Sequence, residues 1–142
     1  MRQQNVRDIS VSAHKLMNSC VIETANSVGD VKYVFKLDDA LHARGMNQKQ
    51  LAQMTGMRIG TVSYLVNGQG ISINKIQLLA VMSALRITDL NDLLEIQFPP
   101  DVIEKYAEDR SEWLRTRIMP KEIREMYIQN VLRGSGVDDN EM

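Results

Sequence analysis

The stretch 47–68 constrains this chain more than any other. Asn47 offers a helix N-cap, with Gln50 three residues on as its reciprocal partner in a capping box. Leu51, Ala52 and Met54 follow as the apolar side of a helix of about two turns, which breaks at Gly56. Thr55-Gly56-Met57 joins it to a second short helix from about Arg58 to Val66, and Asn67-Gly68 stops that one, since both residues tolerate positive φ. Neither helix is long enough to bury its apolar face alone, so the two must cross. Ala52, Gly56, Val62 and Leu65 stand at relative positions 0, 4, 10 and 13. The small residue lies where the second helix crosses, the glycine supplies the tight turn, and the last two lock the second helix onto a core. This is the spacing of a helix-turn-helix. It leaves Gly60, Thr61, Ser63, Tyr64 and Asn67 facing outward.

Further helices flank the pair. Leu37, Ala40 and Leu41 make one face of a helix ending at Arg44-Gly45, where the glycine can take a left-handed position. After the pair, Ser72 is placed to cap a helix whose Ile73, Ile76, Leu79, Ala80 and Met82–Leu85 form a wide apolar stripe. Thr88 would cap a last short helix through Leu90, Leu93 and Leu94. Five helices with short links predict a compact all-α domain over residues 35–98.

The segment Phe35–Ile96, with GMNQKQLAQMTGMRIGTVSYLVNG and then KIQLLAVMSALRITDLNDLLEI, resembles the Cro/cI-repressor-like (XRE-type) helix-turn-helix family. The resemblance covers roughly 60 of the 142 residues, including the Asn-Gly after the second helix and the closing leucine pattern. It implies a five-helix, lambda-repressor-like domain and sequence-specific, dimeric DNA binding for transcriptional control. Carried over by position, Arg58, Ile59, Gly60, Thr61, Ser63 and Tyr64 would read bases in the major groove. Asn47, Gln48, Lys49, Asn67, Gln69 and Lys75 would meet the DNA backbone. The residue chemistry fits in part. Arg58 can fork onto guanine, Ile59 can pack on a thymine methyl, and Thr61 and Ser63 can donate to bases or phosphates. The family often has a capping Ser or Asn where Arg58 stands, and Gly60 has no side chain to read with. Tyr64 serves equally as a DNA contact or as an anchor for a protein.

Charge neither advertises nor forbids such a partner. The chain has 17 Lys+Arg against 18 Asp+Glu, a net of −1, whereas DNA-binding domains are usually basic. The balance is uneven: residues 1–34 carry a net of +1, residues 35–98 again +1, and residues 99–142 seven basic groups against ten acidic, −3. Few lysines flank the outward helix, so phosphate neutralisation per subunit is modest and a monomer should bind weakly. A dimer is expected.

Other chemistries find little support. His14 and His42 stand 28 residues apart with no acidic or cysteine companion at ligand spacing, so no metal site is expected. Asp38-Asp39 sits at a helix start, where acids favour the dipole. There is no Gly-rich phosphate loop, nucleophile elbow or His/Cys dyad. The expectation is a non-enzyme without cofactor. A single cysteine, Cys20, excludes an internal disulfide framework, and neither a membrane-length apolar run nor a secretory leader is visible, which points to the cytoplasm.

The flanks suggest assembly. Residues 1–34 read as a helical extension, with Ala13, Leu16, Met17, Cys20, Val21, Thr24 and Val28 on one side, Ser10 or Ser12 as cap and Gly29-Asp30 as stop. Residues 31–37 alternate as a short strand would, but no partner strand is evident in the chain, so pairing with a second copy or a simple extended segment is expected. After Phe98-Pro99-Pro100, residues 99–133 predict a helical hairpin. One helix bears Val102, Ile103, Tyr106, Ala107, Arg110, Trp113 and Leu114 on a single face. The other bears Ile123, Met126, Tyr127, Asn130 and Val131, with Gly134 ending it. Tyr106, Trp113, Leu114, Ile123, Met126 and Tyr127 are the expected oligomerisation residues. The alternative is an adaptor whose C-terminal helices bind another protein. Residues 134–142 are expected to be a disordered acidic tail.

Overall fold

In the computed structural model, residues 2–5, 19–69 and 72–136 are described. The elements run β1 (Arg2–Asn5), α1 (Ser19–Asn26), β2 (Lys32–Phe35), α2 (Leu37–Ala43), α3 (Gln48–Thr55), α4 (Ile59–Asn67), α5 (Lys75–Leu85), a 3-10 turn (Leu90–Asp92), β3 (Leu94–Gln97), α6 (Pro100–Thr116) and α7 (Lys121–Gly136).

The helical domain holds one core. Leu37, Ala40 and Leu41 of α2 meet Leu51 and Ala52 of α3, Val62 and Val66 of α4, Val81 and Leu85 of α5, and Ile87 and Leu93 beyond it. Leu51 and Val62 are wholly inaccessible to solvent, as the crossing of α3 and α4 requires. Arg44 adds a polar strut between helices, donating from Nε to the Leu85 carbonyl at 3.0 Å and from Nη1 to that of Ala40 at 2.9 Å.

The molecule is mostly helical but not all-α. The predicted strand exists as β2 and finds both its neighbours inside the chain, antiparallel to β1 on one edge and to β3 on the other. Partner strands in the same chain thus replace the expected second copy. β3 occupies the place assigned to a fifth helix. Asp89, not Thr88, caps the preceding 3-10 turn by accepting from the Asn91 N–H at 2.9 Å, and Leu93 is then buried as the chain turns into the sheet. A three-residue turn followed by Leu-Glu-Ile-Gln satisfies its backbone through β2 rather than through a helix.

The β2–β3 pairing brings the entrance and exit of the helical domain together. Lys36 N donates to the Leu93 carbonyl at 2.8 Å, while Lys36 Nζ reaches the Asn91 carbonyl at 3.0 Å and Glu95 Oε2 at 2.7 Å. The hydrogen bond from Lys36, and then its charge, holds the Glu95 carboxyl below its ordinary 4.5. A carboxylate whose folded pKa is depressed contributes stability above its unfolded pKa and loses it as pH falls. The stability gap between wild type and Glu95→Gln, followed by thermal melting, therefore narrows as pH drops from about 6 to about 3.

Other departures follow from limited room. Ile76 and Leu79 are 81% and 63% exposed, and Ile73 is 40% exposed, because α5 is apolar on nearly every side and the core takes one face only. Met54, on the outer side of α3, is also exposed, while Leu51 and Ala52 take that helix's place in the core. Asn74, not Ser72, caps α5, accepting from the N–H groups of Ile76 and Gln77. In the N-terminal third, α1 covers Ser19–Asn26; the expected caps Ser10 and Ser12, and Ala13, Leu16 and Met17, lie outside the described residues, as do His14 and residues 137–142.

The C-terminal helices do not form the expected hairpin. Lys105, in the middle of α6, pairs with Glu122 in the first turn of α7 at 3.3 Å. A hairpin would set Lys105 across from the last turns of α7. The far part of α7 instead meets α1, where Asn130 Nδ2 donates to Thr24 Oγ1 at 3.2 Å and Arg133 pairs with Glu23. The helix also continues through Gly134 to Gly136.

Candidate nucleic-acid interface

Local chemistry fixes the α3–α4 pair firmly. Asn47 accepts from the Gln50 N–H at 2.8 Å while the Gln50 side chain accepts from the Asn47 N–H at 3.0 Å, completing the capping box. Thr55 Oγ1 donates to the Leu51 carbonyl at 2.8 Å and accepts from the Met57 N–H at 3.3 Å, bracing the turn. Gly56 takes the left-handed conformation there, with φ 78°. Asn47→Ala removes the cap and should cost about 1 kcal/mol in chemical denaturation.

Arg58 is the N-cap of α4, with extended backbone and no capping hydrogen bond from its side chain. The guanidinium is exposed and makes no hydrogen bond or ion pair with any described residue. Ile59 follows at 55% exposure, and a Cβ built on Gly60 would meet nothing within 4 Å. Tyr64 continues this open side at 55% exposure, whereas Ser63 and Asn67 are half-buried, with Asn67 Nδ2 donating to Ser63 Oγ at 3.2 Å. Thr61 departs from the expectation. It is half-buried and turns with Leu65 into the groove between α4 and the sheet, where Tyr33 and Phe35 form the opposite wall. Tyr64 stands on the rim of the same groove.

Of the expected backbone contacts, Lys49, Asn47, Gln69 and Lys75 are exposed, and Gln48 is half-buried at the start of α3. The sheet's role was not anticipated from sequence. The Phe35 ring lies against Gly68, which has φ 67° and ends α4 by donating its N–H to the Tyr64 carbonyl. A Cβ at Gly68 would stand 2.2 Å from Phe35 Cε2. The alternation Lys-Tyr-Val-Phe is the signal that points Tyr33 and Phe35 to one side of the strand.

The expected oligomerisation residues divide. Leu114, Tyr127, Tyr106, Met126 and Trp113 are exposed, Leu114 at 73%, whereas Ile123 is half-buried. Among the described side chains, neither α6 nor α7 buries one fully. Among the described residues no cluster of His, Cys, Asp and Glu could hold a metal ion, and no helix is long and apolar enough to cross a membrane.

Two short capped helices crossing at a small residue, with the second presenting an open face, define a helix-turn-helix nucleic-acid-binding domain. Residues 36–99 match the family model of the Cro/C1-type HTH DNA-binding domain, so this segment is a helix-turn-helix domain of that type, as in a DNA-binding transcription regulator. No curated protein and no solved structure matches the chain.

Proposed function

We propose that the protein is a sequence-specific transcriptional repressor that binds an inverted-repeat operator as a homodimer. The observation that carries this reading is the open face of α4, where Arg58, Gly60, Ser63, Tyr64 and Asn67 stand together on a braced helix pair of the Cro/C1 type. Arg58 forks onto guanine, Ile59 meets a thymine methyl, and Ser63 and Tyr64 supply hydrogen bonds, with Thr61 at the edge of the contact. Asn47, Gln48, Lys49, Asn67, Gln69 and Lys75 hold the phosphates. The resemblance to the Cro/cI-repressor-like family is the only support for placing its gene on a mobile element such as a prophage or plasmid.

The weak basicity of residues 35–98 argues for two subunits, because few phosphates are neutralised by each. Two recognition helices in successive major grooves stand about 34 Å apart. Mobility-shift titration with a selected inverted repeat and with its isolated half-site tests this. The half-site should bind at least about 100-fold more weakly; equal affinities would contradict dimeric recognition.

Gly60 supplies an independent check. Its backbone needs no glycine and the space around it is open, so close approach of the DNA explains it better than packing does. Gly60→Ala should stabilise the fold by about 0.5 kcal/mol and still weaken operator binding. A stronger fold with unchanged binding would show that the helix does not approach DNA at that position.

A further inference from the structure

Helix α6 carries 17 residues and buries none of them completely. On its open side Ile103, Ala107, Arg110 and Leu114 follow one another at spacings of 4, 3 and 4 residues. That pattern reads the same in both directions along the helix. Charge, in contrast, is segregated along the axis. Residues 101–109 carry Asp101, Glu104, Glu108 and Asp109 against Lys105, a net of −3. Residues 110–117 carry Arg110, Arg115 and Arg117 against Glu112, a net of +2.

We propose that α6 pairs antiparallel with the α6 of a second copy, setting Ile103 beside Leu114 of that copy and each acidic half beside a basic half. The inference rests on the dimeric reading above and gives it a geometry. A parallel pair would stack like charge on like; the antiparallel pair removes that repulsion and satisfies both halves at once. Ile103 and Leu114, at 57% and 73% exposure, are the apolar residues that α6 leaves most open, and Tyr106 and Trp113 stand on the adjoining flank at 40% and 38%. The geometry also suits an inverted repeat. Laying two such helices side by side in opposite directions places their Pro100 ends about 25 Å apart. The DNA-binding domains that precede Pro100 then lie at opposite ends of the pair, a separation of the order of one helical turn of DNA.

Cross-linking in the full chain decides the orientation. Cys20 is the only native cysteine, so Cys20→Ser provides the background for Ile103→Cys and Leu114→Cys, both at exposed positions. Under mild oxidation the equimolar mixture should give a disulfide-linked dimer, and neither variant alone should. A cross-link in either variant alone would establish parallel pairing and overturn the proposal. If nothing cross-links while the reduced variants sediment as dimers, α6 is not the interface and the dimeric reading survives. If the wild-type chain sediments as a monomer, both fail. Charge reversal gives a second readout. Arg110→Glu with Arg115→Glu should raise the dimer dissociation constant at least tenfold, and adding Glu104→Lys with Glu108→Lys should recover most of the loss. No weakening on the first reversal would contradict the charge pairing.

Discussion

Gly68→Ala should be among the most damaging single-methyl changes available to this domain, costing about 2–4 kcal/mol in urea unfolding. Two terms add. The left-handed backbone at φ 67° is about 1–2 kcal/mol less favourable for any residue with a Cβ. The new methyl also lands 2.2–2.5 Å from three carbons of the Phe35 ring, which must shift against the sheet. Gly56 separates the terms, because it has φ 78° but nothing within 4 Å of where an added methyl would stand. Gly56→Ala should therefore show the backbone term alone. Adding Phe35→Ala to Gly68→Ala should recover the steric part and leave the two glycine variants nearly equal beyond the cost of the lost ring. If Gly68→Ala proved no worse than Gly56→Ala, Phe35 would not be what holds the end of α4.

The second large effect falls on specificity. Arg58→Ala should lose about 1–3 kcal/mol of discrimination at one base position, roughly a five- to 150-fold relaxation there, with little change in stability. The guanidinium has no partner among the described residues to lose, and its side chain does not cap α4. Gln48→Ala, at the start of α3, should weaken all sequences about equally, as loss of a phosphate contact does. Competition titrations against a set of single-base operator variants distinguish these outcomes. An unchanged base profile for Arg58→Ala would move base reading to other residues of α4.

The helix-turn-helix was legible because its constraints are local. Asn47 with Gln50, Gly56 and Gly68 act through hydrogen bonds and backbone angles within a few residues, and Ala52, Val62 and Val66 face one shared core. The sheet was only partly legible. Lys32–Phe35 announces a strand by alternation, but Arg2–Asn5 is wholly polar, and Leu94–Gln97 follows leucines at helical spacing. Strand partners come from pairings of about 30 and 60 residues' separation, which periodicity does not encode. The same limit explains α5, whose apolar residues nearly encircle the helix, so sequence alone did not say which of Ile76, Leu78, Leu79 and Val81 would be buried. It covers the C-terminal helices too, since α7 meets Glu23 and Thr24, more than 100 residues earlier, in contacts that periodicity does not encode. On α4, outward placement of Gly60 and Tyr64 follows from the crossing geometry, whereas Thr61 lines a groove beside a sheet that the pattern does not reveal.

Whether α4 reads double-stranded DNA is tested most directly by selection from a random duplex pool, followed by salt titration of the winner. The expected result is enrichment of a two-fold symmetric sequence and a saturable complex whose log affinity falls linearly with log salt, by about 0.9 per phosphate neutralised. A pool that yields no enriched sequence, or binding with no dependence on salt, would contradict a DNA-reading α4.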